Sequence, residues 1–281
     1  MKTVTVKNIT AAALLLLSLP AFAQTPRTLS RASGGETPVL DYQPAGAALC
    51  PETLIVSHGF GGDQSALAPL ARHMLAKGWR VIVMSHQESG RAELRQAFQA
   101  GGGFAGVELA ARDPGMHAAR FRDLDAAYAL AVSACRPKSM ILAGHSMGAQ
   151  TVMMEAGAAP LIGRMGSDRF DAYIAISPQG IGAAYAAGAW ARVSKPVLMI
   201  TGSNDRTAGG DYRSRLSAFE GLPPGRKRLA IIPGAGHLQV GQIGSENVSS
   251  AVNALAAEFA AQIASGAWAP SRIQGADVRE K

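Results

Sequence analysis

The chain has 281 residues, 17% charged and 48% hydrophobic, with a formal net charge of +7. That length and apolar fraction suit one α/β domain with a sizeable core. The 27 basic residues are scattered and no basic stripe is interleaved with aromatics, so nucleic-acid binding gains no support.

Residues 1–23 read as a signal peptide. Lys2 and Lys7 form the positive region, Ala11 to Leu19 the apolar region, and Ala21-Phe22-Ala23 a small-residue cleavage site. The apolar run is too short for a membrane span, so no stable membrane anchor is expected after its removal. The mature chain, expected to begin near Gln24, keeps a formal charge of +5 (27 − 2 − 20) and is expected in the periplasm or secreted.

Residues 24–50 are polar and punctuated by Gly and Pro, an irregular segment with one strand around Val39 to Tyr42. Thr53 to Ser57 is a strand, followed at once by His58-Gly-Phe-Gly-Gly62. Ser65 to Lys77 reads as an amphipathic helix ended by Gly78, and Arg80 to Met84 as a strand covered on both faces. Ser85 to about His117 lacks a clean period and holds a possible short helix near Arg91 to Phe98. A flap beside an active site and an ordered surface excursion both fit it.

A helix over Ala118 to Ala134 precedes the most informative stretch. Met140 to Ala143 is a short buried strand, Gly144-His145-Ser146-Met147-Gly148 a sharp turn, and a helical pattern follows from Ala149 to about Ala158. A serine at the apex of a strand–turn–helix is a nucleophile elbow. Gly144 and Gly148 avoid the collisions that a Cβ would make across so tight a turn. With 32 Gly in the chain the pentapeptide alone decides little, and its context carries the reading.

Further strands are expected at Ala172 to Ile176, Pro196 to Ile200 and Leu229 to Ile232, with helices at 211–220 and 246–264. Strands alternating with helices predict a mostly parallel sheet flanked by helices on both faces. The domain is expected to span 24–265, followed by a loosely held tail at 266–281. Arg226-Lys227-Arg228, the one tight basic cluster, reads as a solvated surface.

In such sheets chemistry gathers at the carboxyl ends of strands. Ser146 supplies a nucleophile that needs a base to accept its proton. Of six histidines, His237, in a tight loop past the last expected strand, suits that role best; His58 and His145 lie within turns that they shape. The acid is expected at Asp205, directly after the strand ending at Ile200, where it would fix the imidazole tautomer. Asp211 is its rival, although helix capping explains that residue more simply. An oxyanion needs two preorganised N–H donors. Met147 at the helix N-terminus offers one, and Phe60 in the Gly-rich loop the other.

His58-Gly-Phe-Gly-Gly62, Gly144-His-Ser-Met-Gly148, Asp205 and His237, in that order, resemble the α/β-hydrolase superfamily of serine esterases and lipases across residues 50 to 262. Arg120 to Ala134 and Ala156-Gly-Ala158 are similar to bacterial dienelactone-hydrolase-like and platelet-activating-factor-acetylhydrolase-like proteins. Dienelactone hydrolases carry cysteine at the position of Ser146, so their substrate is not implied. Ser177-Pro-Gln179 stands where secreted polyester hydrolases usually place a tryptophan, which argues against a polymer-binding cleft.

The resemblance implies a carboxylic ester hydrolase working through an acyl-enzyme on a small-molecule ester. Peptidase or thioesterase chemistry on the same triad, and a non-catalytic binding protein on the same fold, remain alternatives. Neither a metal nor a cofactor is expected: Gly59-Phe-Gly61 begins a dinucleotide-type motif that ends on Gln64, and no Cys/His metal spacing occurs. The implied topology makes the strands after Cys50 and Cys135 neighbours, and a disulfide between these cysteines is expected at the sheet edge opposite the catalytic face.

Overall fold

The apolar runs of the sequence become the strands of one sheet. In the computed structural model of the chain, residues 23–46, 50–207 and 210–281 are described; nearly all of the expected signal peptide lies outside them. The first half carries β1 (Ala23–Ser30), β2 (Glu36–Gln43), β3 (Thr53–Ser57), α1 (Ala68–Ala76), β4 (Arg80–Met84), α2 (Arg91–Ala100), α3 (Phe104–Ala110) and α4 (Pro114–Val132). The second carries β5 (Met140–His145), α5 (Met147–Glu155), β6 (Ala172–Ile176), β7 (Val197–Asn204), α6 (Tyr212–Gly221), β8 (Lys227–Gly236), α7 (His237–Val240), α8 (Glu246–Ser265) and β9 (Asp277–Glu280).

The described residues build a nine-stranded sheet in the order β1-β2-β4-β3-β5-β6-β7-β8-β9. From β4 to β8 neighbours are parallel; β1, β2 and β9 join antiparallel at the edges. Alternate side chains of each central strand enter opposite cores. Ile55 and Leu142 pack with Phe121, Leu124 and Val152 of α4 and α5. Leu54, Val56 and Ile141 pack with Leu70, Met74, Val252 and Phe259 of α1 and α8. Strands buried on both faces read as continuous apolar runs, which is why β3, β5 and β6 were legible.

The edges differ from expectation. Residues 24–50 hold a two-stranded hairpin, turning at Gly34 and Gly35 with φ of 87° and 88°, in place of an irregular segment with one strand. The inward positions of β2 include Thr37 and Asp41, both fully buried, so a polar pattern concealed the alternation. Asp41 is satisfied there by Arg27, Arg80 and Gln43.

The C-terminal tail is likewise held rather than loose. β9 pairs with β8, and Arg228, buried beneath the tail, bonds Glu280, Glu258 and the Ala269 carbonyl while lying 4.6 Å above the Trp268 ring. Lys227 is buried as well, donating to the Ser194 and Gly225 carbonyls. The expected solvated cluster is thus corrected for Lys227 and Arg228, while Arg226 is exposed: tertiary partners supply the hydrogen bonds that water would have supplied to the buried pair.

The segment after β4 forms two short helices. No residue of α2 and only Gly106 of α3 is buried, so no apolar stripe was needed to hold them. Asp113 caps α4, accepting from the backbone of Gly115 and Met116, and Pro114 opens it. That helix therefore starts four residues before Ala118.

A disulfide joins Cys50 to Cys135, with Cα atoms 6.0 Å apart. The two residues precede β3 and β5, which are parallel neighbours, so the link closes the amino-terminal edge. Among the described residues, no helix is long and apolar enough to cross a membrane.

Candidate active site

β5 delivers the chain to Ser146, whose φ of 56° and ψ of −118° turn it directly into α5. A Cβ at Gly144 would stand 2.5 Å from the Gly148 carbonyl oxygen, and one at Gly148 would stand 2.1 Å from that of Ser57. The first collision is within the elbow, as expected. The second is with neighbouring β3, which sequence reasoning did not foresee.

The Ser146 hydroxyl meets His237, at the start of α7: Oγ and Nε2 are 3.0 Å apart. On the other side of the ring, Nδ1 lies 2.8 Å from Oδ1 of Asp205, directly after β7. Nδ1 therefore carries the proton and Nε2 is left to accept one. Asp211, the rival acid, accepts from the Arg213 backbone at 2.9 Å and caps α6.

Asp205 is fully buried and crowded with donors. Thr201 Oγ1 donates to Oδ2 and Arg215 Nη2 to Oδ1, each at 2.9 Å. Burial opposes its charge, but the hydrogen bond from His237, the Arg215 guanidinium and the Ser177 hydroxyl outweigh that and hold the carboxyl well below the usual range. Ser177 Oγ also lies 2.9 Å from His237 Nδ1. It directly follows β6 with φ of 56°, at the strand end next to the elbow. Sequence reasoning noted Ser177 only for the tryptophan it replaces and passed over Arg215 entirely; an arginine inside a helix gives no signal of the acid it meets.

The loop after β3 lies against Ser146: a Cβ at Gly59 would be 3.3 Å from Ser146 Cβ. His58 accepts at Nε2 from the His86 backbone at 2.9 Å, and its Nδ1 donates to the Gly59 carbonyl at 2.6 Å. Gly62 N–H reaches the same carbonyl at 3.1 Å. The Gly59–Phe60 peptide is trans, so its N–H points away from these anchors. Met147, the other expected donor, opens α5.

Strand order, elbow and the Ser146–His237–Asp205 line together decide the architecture. The chain has the α/β-hydrolase fold. It is similar to a protein named as a dienelactone hydrolase from Klebsiella pneumoniae subsp. pneumoniae MGH 78578, with a TM-score of 0.66 and 16% identity over 85% of this chain and 99% of that one. It is also similar to Est1E from Butyrivibrio proteoclasticus (TM-score 0.57, 16% identity, 84% and 99% covered). A third is the Pyrococcus furiosus esterase Pf2001 (TM-score 0.59, 14% identity, 85% and 94% covered). No protein-family model matches the sequence, and no curated protein does.

This α/β-hydrolase fold contains a second Ser–His–Asp line, also unforeseen. Ser57 Oγ lies 2.8 Å from His86 Nε2, and His86 Nδ1 lies 2.7 Å from Asp123 Oδ2. Asp123 Oδ1 takes Arg31 Nε at 2.9 Å and Thr37 at 2.5 Å, which ties the N-terminal hairpin to α4. Burial holds His86 far below its ordinary value and pushes Asp123 up to about 6. Arg120, one turn from Asp123, donates to the His58 carbonyl at 2.7 Å. Charged residues three apart on one face of an apolar-striped helix were the available signal. Every member of this second line has 0% exposure, so no substrate reaches it, whereas Ser146 is partly exposed. Among the described residues no group of three or more His, Cys, Asp or Glu could hold a metal ion.

Proposed function

We propose that this protein is an exported serine hydrolase that cleaves carboxylic esters through an acyl-enzyme, with Ser146, His237 and Asp205 as its catalytic residues. One observation carries the reading: a hydroxyl, an imidazole and a carboxylate joined at 3.0 and 2.8 Å, with Ser146 partly exposed. The esterase and dienelactone hydrolase names of the structural neighbours support the same chemistry.

Ser146 Oγ attacks the ester carbonyl carbon while its proton passes to His237 Nε2. Asp205 holds the ring and stabilises the imidazolium. The carbonyl oxygen becomes an oxyanion that accepts from the backbone N–H groups of Phe60 and Met147. As the tetrahedral intermediate collapses, the C–O bond breaks and the alcohol leaves with the proton from His237. Water then attacks the acyl-enzyme, giving up its proton to His237, and collapse releases the acid and restores Ser146.

Export accounts for the Cys50–Cys135 disulfide, because such bonds persist in oxidising compartments. The signal peptide of residues 1–23 would supply the route, leaving a hydrolase domain that runs from residue 24 through β9, since that strand belongs to its sheet.

A fluorophosphonate probe, which reacts only with an activated serine, tests the reading. Wild-type protein is expected to be labelled at Ser146 and to turn over p-nitrophenyl esters faster than matched thioesters or peptides. An unlabelled wild type would sink the mechanism. Labelling with faster peptide or thioester turnover would keep the triad and change the substrate.

A further inference from the structure

We infer that Arg215 is a positioning residue of the triad: its ion pair with Asp205 weakens His237 as a base and so extends activity to lower pH. This rests on the reading of Ser146, Asp205 and His237 as catalytic. The observation is a buried ion pair on the triad's own acid. Arg215 Nη2 and His237 Nδ1 share one carboxylate oxygen, Oδ1, at 2.9 and 2.8 Å. The guanidinium is 4% exposed and the carboxylate 0%.

The guanidinium is fixed in place from several sides. Its Nη1 donates to the carbonyls of Pro178 at 3.0 Å and Ser177 at 3.4 Å, and Nη2 reaches Thr207 Oγ1 at 3.3 Å. α6 is pressed against the loop after β6: a Cβ at Gly180 would be 1.7 Å from the Ser214 carbonyl oxygen. Arg215 therefore clamps together the strand ends that carry Ser177 and Asp205.

Charge balance gives this clamp a consequence. With His237 neutral, Asp205 and Arg215 cancel. When His237 takes the proton of Ser146, the buried group acquires a net positive charge; without Arg215 the same step would end neutral. In a site of low dielectric that difference opposes the imidazolium. The charged or titratable side chains against Asp205 and His237 are Arg215 from α6 and His145 from β5, whose ring lies 4.8 Å from that of His237. The hydroxyls of Ser146, Ser177 and Thr201 complete the shell. Burial keeps His145 neutral, so Arg215 is the cation that acts.

The acid limb of kcat/KM against pH is the readout, since a merely structural arginine would lower the plateau without moving the limb. Arg215→Gln keeps amide donors for the loop carbonyls but removes the charge, and its limb is expected to move up by about one pH unit. Arg215→Lys keeps the charge and should restore the wild-type limb. If Arg215→Gln fails to fold, Asp205→Asn and Asp205→Asn/Arg215→Gln decide, because neither leaves a buried carboxylate unpaired. Removing the orphaned cation is expected to raise fluorophosphonate labelling roughly tenfold over Asp205→Asn alone. An unmoved limb, or no gain in the double variant, overturns this inference while leaving the hydrolase intact. A wild type that neither labels nor turns over ester overturns both.

Discussion

The imidazole of His145 lies against that of His237, ring centroids 4.8 Å apart, and its Nε2 donates to the His237 backbone carbonyl at 3.0 Å. His145 thus braces the loop that carries His237. A Cβ at Gly241 would fall 2.6 Å from the His145 ring, so α7 is seated on it by close contact.

That bracing predicts an acid-sensitive fold. Burial, and then the charge of His237, hold His145 down to about 3 from an ordinary 6.5. Between those values the unfolded chain binds the proton and the native state does not. The contribution of His145 to stability is therefore complete above about pH 6.5 and falls as pH drops toward 3, by of order 5 kcal/mol. Urea unfolding at pH 7.5, 6 and 4.5 should show the loss, and His145→Gln, less stable at neutral pH, should flatten the slope over that range. An unchanged slope would place the acid sensitivity elsewhere.

The Ser146–His237–Asp205 line is expected to behave as one unit. His237→Ala should lose nearly as much kcat as Ser146→Ala, and the double variant little more, because triad members act together. Asp205→Asn should lose several orders of magnitude through the wrong imidazole tautomer, roughly 10⁴-fold by analogy with serine proteases, together with the effect of the buried Arg215 it leaves unpaired. Steady-state ester hydrolysis on folded variants checks this. Multiplicative effects would point to a different base or acid.

The buried Ser57–His86–Asp123 line should matter for folding, not for labelling. Asp123→Asn leaves Arg31 without its buried carboxylate and is expected to destabilise by about 3 kcal/mol. Ser57→Ala, in contrast, should leave fluorophosphonate labelling stoichiometry at one per chain. Thermal unfolding of both variants, with mass analysis of the labelled protein, separates the two Ser–His–Asp lines.

Breaking the Cys50–Cys135 bridge is expected to lower stability by roughly 2–5 kcal/mol, since it frees a loop with a sequence separation of 85 residues. Activity at room temperature should be unchanged in Cys50→Ser/Cys135→Ser, because the bridge lies at the opposite edge of the sheet from Ser146. Guanidinium titration and an ester assay on the same preparation test both halves. A large activity loss in folded protein would show that the two edges are coupled.

The elbow glycines carry a sharper expectation. Gly148→Ala must displace either α5 or the Ser57 carbonyl that its Cβ would meet at 2.1 Å. Loss of labelling together with several kcal/mol of stability is expected. A folded, fully labelled Gly148→Ala protein would contradict the packing described here.

What the sequence determined by itself was whatever is written in local pattern. Continuous apolar runs marked the doubly buried strands β3, β5 and β6, and glycines around Ser146 marked a turn that only small residues permit. Chain order then pointed to Asp205 and His237, because strand ends in a parallel sheet converge on one edge. What the sequence concealed has a common cause. Asp41, Asp123, Arg120, Arg215 and Arg228 are charged residues in the interior, each bonded to partners from other segments of the chain. Read locally, such residues signal solvent, so the N-terminal hairpin, the seated tail and the guanidinium on Asp205 were all invisible. Only the tertiary structure decides them, because a buried charge is tolerated just where partners far along the chain replace its water.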